Sequence, residues 1–169
     1  HGKTWQCGDI IVKQGDTVAG ETVVNPSETV AVQLFNNQVL VNIRTESEPH
    51  RRLVAVSDNG ATNWTGKRFD DQLLEPVCMA SILRVPASKS QPKNAIVFAN
   101  PDNLENKTGR RTPNRDRKNL TLQVSFDDCQ TWASKRVLEP GISGYSDLAA
   151  LPDGSIYCFY EDGGFKNNG

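Results

Sequence analysis

One turn motif, repeated with a tryptophan at its end, constrains this chain more than any other feature. Ser125-Phe-Asp127-Asp-Cys-Gln-Thr131-Trp132 fits the pattern S-x-D-x-G-x-T-W at all but one position, with Cys129 where Gly is usual. Ser57–Trp64 keeps Ser and Trp at the same separation but holds Asn59 in the Asp place. His1-Gly2-Lys3-Thr4-Trp5 reads as the tail of a third copy, which suggests a trimmed or processed start. Trp5, Trp64 and Trp132 thus occur once per repeat, at intervals of 59 and 68 residues. Repeats of that length, if each holds four strands, are the blades of a propeller. Within a blade the box is structural: its side chains close the turn between strands three and four, and its Trp packs between blades.

The intervening sequence supports strands. Helical periodicity is scarce, and short β-rich runs recur between turn residues at Thr29–Leu34, Gln38–Arg44, Leu53–Val56, Ser81–Val85, Ala95–Ala99, Leu120–Ser125, Leu148–Leu151 and Ser155–Tyr160. Two segments superimpose. Glu28–Leu34 leads through Asn36-Asn37 into Val39–Arg44, and Tyr145–Leu151 leads through Asp153-Gly154 into Ile156–Glu161. Both turns carry residues that tolerate positive φ, as tight hairpins require. With Leu34 laid on Leu151, Glu28 falls on Tyr145 and Arg44 on Glu161. A third copy, Ser81–Val85 and Ala95–Ala99, has the longer connection Pro86–Asn94. Residues 1–169 are 37% hydrophobic, enough for one domain, with turns of the box type near 1–5, 57–64 and 125–132. A net charge of −1 provides no field for nucleic acid, and no apolar stretch is long enough to span a membrane. The four cysteines show no metal-ligand spacing, and Cys158 reads as a buried free thiol.

Blade geometry turns this repeat into a chemical expectation. The first strand of each blade lines the central axis, with the boxes on one face and the segments entering strand one on the other. Glu28, Arg44, Tyr145 and Glu161 should therefore gather at one end of the axis, below the loop Pro101–Lys118. A phenol is a poor nucleophile at its free pKa near ~10, but a neighbouring carboxylate can act as its base. A neutral nucleophile suits an anionic substrate, and an arginine beside it offers charge-assisted hydrogen bonds to a carboxylate.

The words around these residues resemble those of the retaining exo-sialidase (neuraminidase) family with Asp-box (BNR) repeats. They are Val41-Asn-Ile-Arg44, Leu53–Ser57, Ala80–Arg84, Phe98–Pro101, Asn119–Thr121, Gly144–Ala149 and Phe159–Glu161. The resemblance runs from about His1 to Glu161. It implies an all-β chain forming about three blades of a six-bladed β-propeller, the C-terminal half of a catalytic domain. Carried over, Tyr145 would be the nucleophile and Glu28 its general base. Arg44 would be one of three arginines that hold a sialic-acid carboxylate, and Glu161 the carboxylate that steadies another. The remaining arginine of this half is expected two residues before the box Ser, where Gln123 stands, an amide without charge. The acid/base Asp and the first arginine belong to the family's opening blades, and nothing in this chain matches them.

The resemblance implies an exo-α-sialidase acting on a sialylated glycan or related oligosaccharide, with no metal or organic cofactor and no nucleic-acid partner. N-terminal blades would be needed to complete the ring, so this stretch alone would be inactive. A secreted, periplasmic or lysosomal-like compartment is favoured over the cytosol. Gln123 keeps an alternative open: a sialidase-like propeller that binds or cleaves a different glycan. A purely structural propeller ranks last, since it leaves Glu28, Arg44, Tyr145 and Glu161 as coincidence. The basic stretch Lys107–Lys118, with Arg110, Arg111, Arg115 and Arg117, reads first as a solvated loop. Its functional reading is that one of these arginines replaces the missing guanidinium.

Overall fold

The computed structural model describes residues 2–88 and 91–163, and these are organised as β-strands without an α-helix. His1, the first residue of the shortened box, lies outside the described residues, as do two positions of the Pro86–Asn94 connection. A short hairpin, β1 (Thr17–Val18) and β2 (Glu21–Thr22), comes first. The first blade is the antiparallel meander β3 (Thr29–Gln33), β4 (Val39–Ile43), β5 (Arg51–Ser57) and β6 (Thr65–Leu74). The second contains β7 (Ser81–Val85), β8 (Ala95–Pro101), β9 (Lys118–Ser125) and the leading half of β10 (Ser134–Ala150).

From Ser143 onward β10 leaves β9 and pairs instead with β11 (Ile156–Asp162). One long strand is thus the outer strand of the second blade and the inner strand of a third. Register shifts between Val137 and Glu139, between Glu139 and Ile142, and between Ser143 and Ser146 let it change partner. The repeat read from sequence holds at the level of single pairs. Thr29 faces Ile43 and Gln33 faces Val39 in the first blade; Ser146 faces Tyr160 and Ala150 faces Ile156 in the third. These are equivalent pairs when Leu34 is laid on Leu151.

Four strands have no counterpart among the runs expected from sequence: the short pair β1 and β2, β6, and the leading half of β10. The last two are outer strands with few buried side chains, so they lack the apolar alternation that reveals a strand. By contrast β8 is buried along its whole length, because it lies between two neighbouring blades. Its side chains alternate between two cores. Ile96 and Phe98 face the first blade with Val32, Leu40, Val54, Leu73 and Trp132. Ala95, Val97 and Ala99 face the third with Val85, Leu148 and the half-buried Cys158, which is free but not fully enclosed.

The boxes behave as turns. In the intact copy Ser125 Oγ donates to Asp127 Oδ1 at 2.8 Å and accepts the Cys129 N–H at 2.9 Å. Asp127 also takes the Thr131 N–H at 2.9 Å and its hydroxyl at 2.6 Å. Cys129 has φ +64°, which explains why glycine is usual at that position. In the other copy Asn59 Oδ1 accepts the N–H groups of Ala61 and Thr62 at 2.8 and 2.9 Å, so the amide oxygen substitutes for the carboxylate. Blades are also tied across their box face: the Asp128 carboxylate accepts the Phe35 and Asn36 N–H groups at 2.8 and 3.2 Å. That bond places the β3–β4 hairpin turn and the second box on the same side, and leaves the residues entering β3 on the other.

Candidate active site

Three inner strands run side by side: β3, β7 and the trailing half of β10. Ser81 and Ser146 Oγ meet at 3.1 Å across the last two. Each strand begins at the face opposite the boxes, so the residue preceding or opening it points into a shared space. Glu28 ends the approach to β3, Arg44 follows β4, and Tyr145 opens the inner half of β10. The Tyr145 hydroxyl donates a short hydrogen bond to Glu28 Oε1, and Arg44 Nη1 pairs with Glu28 Oε2. The same Nη1 lies 3.1 Å from the tyrosine oxygen. Residues 117 positions apart in sequence thus form one closed triangle.

Each group alters its neighbours. Partial burial acts to raise the Glu28 pKa, but the hydrogen bonds from Tyr145 and Arg44 and the Arg44 charge outweigh it, and the net direction is down. The Tyr145 phenol is pushed up, first because its proton is held by Glu28 and then by burial. Burial lowers the Arg44 pKa, an effect more than offset by Glu28, leaving it raised. At neutral pH the resting state is therefore a carboxylate, a guanidinium and a protonated phenol whose hydrogen points at a base.

Glu161 joins this group by another route. Its Oε2 accepts the Tyr145 main-chain N–H at 2.9 Å, close against Gly144, where a side chain would collide with it. It lines two clefts: one of about 410 Å³ with Met79, Tyr145 and Phe159, and one of about 420 Å³ with Lys107, Arg110 and Arg117.

Gln123 is placed elsewhere. It is fully buried on β9 opposite Phe98 and Lys135, it lines neither cleft, and its amide finds no hydrogen-bond partner among the described residues. A guanidinium is present instead at Arg117, just before β9. Its central carbon lies 5.4 Å from the centre of the Tyr145 ring, and its charge helps lower the Glu28 pKa. Arg115 turns away, with Nη2 at 2.6 Å from His50 Nε2. Of the loop arginines, Arg117 is the one stacked on the tyrosine. Sequence reasoning placed it only among several candidates, because it sits in a polar connection outside any repeat. Its signal was position, at the end of the loop expected to cover this face.

The arrangement supports proton transfer from a phenol to a carboxylate between two guanidiniums. The Nε–H groups of Arg44 and Arg117 find no acceptor among the described residues.

Comparison with known proteins agrees with the fold. Residues 1–158 match the family model described as a BNR repeat-like domain. A sialidase of Micromonospora viridifaciens is 32% identical over 167 residues, covering 96% of this chain but 22% of that protein. The mouse protein Sialidase-2 is 26% identical, with 98% of this chain and 42% of that protein covered. Among solved structures, the Hadza microbial sialidase Hz136 superimposes with a TM-score of 0.69 and 27% identity over 82% of this chain and 25% of its own. The chain therefore spans well under half the length of these relatives. Its blades are those of a sialidase-like β-propeller, and the chain belongs to the BNR repeat-like domain family, among the sialidases that carry such repeats.

Proposed function

We propose that the protein carrying this chain is a retaining exo-α-sialidase whose nucleophile is Tyr145. The observation that supports this reading most directly is the Tyr145 hydroxyl donating to Glu28 while Arg44 donates to the tyrosine oxygen. In the first step the phenol oxygen attacks the anomeric carbon, Glu28 takes the phenolic proton, and the bond to the leaving oxygen breaks. An acid outside this triangle supplies the leaving group's proton. Water then attacks the anomeric carbon, losing its proton to the conjugate base of that acid; the C–O bond to Tyr145 breaks, and Glu28 returns its proton to the phenolate, which releases the sugar and restores the phenol. Arg44 stabilises the phenolate as it develops and again as it departs.

Arg44 and Arg117 offer guanidinium N–H groups to a substrate carboxylate, a bidentate recognition that lysines do not reproduce. A carboxylate nucleophile beside that substrate charge would be repelled; a neutral phenol is not. Arg117 beside the tyrosine supplies a guanidinium where Gln123 supplies none, which supports a sialoside over the alternative of a sialidase-like propeller that binds or cleaves a different glycan. Further blades beyond this chain complete the ring, in keeping with the greater length of its relatives.

The test is Tyr145→Phe in the complete protein, assayed against an α-sialoside and a neutral glycoside in parallel. Sialoside turnover falls by more than about 10³-fold with the fold intact, the scale seen when a nucleophile is removed. Unchanged sialoside turnover in that variant overturns the assignment.

A further inference from the structure

Arg117 does not hold its place over Tyr145 unaided. Its Nη2 donates to the main-chain carbonyl of Val77 at 2.7 Å. Val77 is fully buried and has φ +64°, a conformation that a β-branched residue adopts only when its surroundings impose it. The imposing group is a carboxylate. Glu75 Oε1 accepts the Cys78 N–H at 2.9 Å, closing the turn around Val77, and Oε2 pairs with Arg52 Nη1. Both side chains are enclosed, at 1% and 0% exposure.

Arg52 extends the chain of contacts. Nη1 also donates to the Cys78 carbonyl at 2.9 Å, and Nε donates to Asn42 Oδ1 at 2.6 Å. Asn42 sits on β4, two residues before Arg44. One buried line, Asn42–Arg52–Glu75, therefore joins the strand that carries Arg44 to the turn whose carbonyl holds Arg117. Neither Arg52 nor Glu75 lines either cleft at the site. A buried ion pair adds little to stability over an apolar pair of similar volume, so the consequence of this one is geometric.

We propose that Glu75, together with Arg52, is a positioning residue for the site: it holds Val77 in its left-handed conformation, which aims Arg117 over Tyr145 at a set spacing from Arg44. The kinetic consequence rests on the reading of Arg44 and Arg117 as the carboxylate clamp. A clamp that grips ground state and transition state alike acts on KM more than on kcat.

The experiment uses the complete protein with two variants: Glu75→Gln, and Arg52→Met/Glu75→Met, which removes both buried charges together. The Arg117 Nε–H resonance is followed by nitrogen NMR, identified by its absence in Arg117→Lys. In both variants it shifts and exchanges faster with water. For an α-sialoside, KM rises about tenfold while kcat stays within about threefold. Placed on Arg117→Ala, neither variant raises KM further, because the group they position is gone. An unmoved Arg117 resonance overturns the proposal, as does a KM increase of equal size on the Arg117→Ala background. If the parent protein does not turn over sialosides, the functional reading fails, and the resonance alone still decides the positioning role.

Discussion

At the residue scale the central fact is that one carboxylate serves two partners. Glu28 accepts the Tyr145 proton on one oxygen and the Arg44 guanidinium on the other, so removing it frees a phenol and a cation at once. Its lowered pKa sets the sign of a pH effect. A carboxyl whose folded pKa lies below its unfolded value stabilises the fold above the ordinary value of 4.5, and this contribution is lost as pH falls through the depressed folded value. The gap in thermal midpoint between the parent and Glu28→Gln should be full at neutral pH and close in acid. A gap that stays level throughout would mean Glu28 is not held ionised by these partners. Gln123 and Arg117 show the limit of reading residues one at a time. A fixed offset from the box Ser pointed to Gln123, but β9 turns that side chain into the interior. The guanidinium that lies over Tyr145 is that of Arg117, in the loop before the strand, where no offset specifies it.

At the scale of elements, the same repeat position occurs in three environments. Trp132 is buried between blades, its ring 5.7 Å from that of Phe98 and its Nε1 near Asp70 Oδ2 at 3.4 Å. Trp64 is half-buried against Val18, Val23 and Leu53, and Trp5 is 88% exposed. Truncation to alanine should follow that order in urea unfolding of the folded protein. Trp132→Ala should cost about 3–5 kcal/mol, the range for deleting a buried indole. Trp64→Ala should cost less, and Trp5→Ala should leave the midpoint unmoved. Equal losses at all three would mean that the motif, rather than its burial, confers stability.

On the scale of the whole molecule, the blades hold together through shared parts. β10 belongs to two of them, and Asp128 binds the hairpin of its neighbour. Among the described residues β11 is the edge strand of its sheet, where Tyr157 and Phe159 are 60% and 84% exposed. An unpaired edge with exposed aromatics is a template for association. The 169-residue chain alone should self-associate in light scattering, and Tyr157→Lys/Phe159→Lys should shift it toward monomer. A parent chain that stays monomeric at high concentration would show that this edge is not the sticky surface.

The sequence by itself determined the repeat, the inner strands and the hairpin register. Those depend on local alternation and turn chemistry, which act over a few residues and recur at matched positions. It also nominated Glu28, Arg44, Tyr145 and Glu161, because repeat symmetry brings equivalent positions to one end of an axis. Tertiary structure alone decided the rest: the exposed outer strands, the change of partner along β10, Arg117 over Tyr145 with Gln123 in the interior, and the buried Arg52–Glu75 pair. These are set by which surfaces face a neighbouring blade. That facing is a property of packing between distant segments, and it leaves no period in the chain.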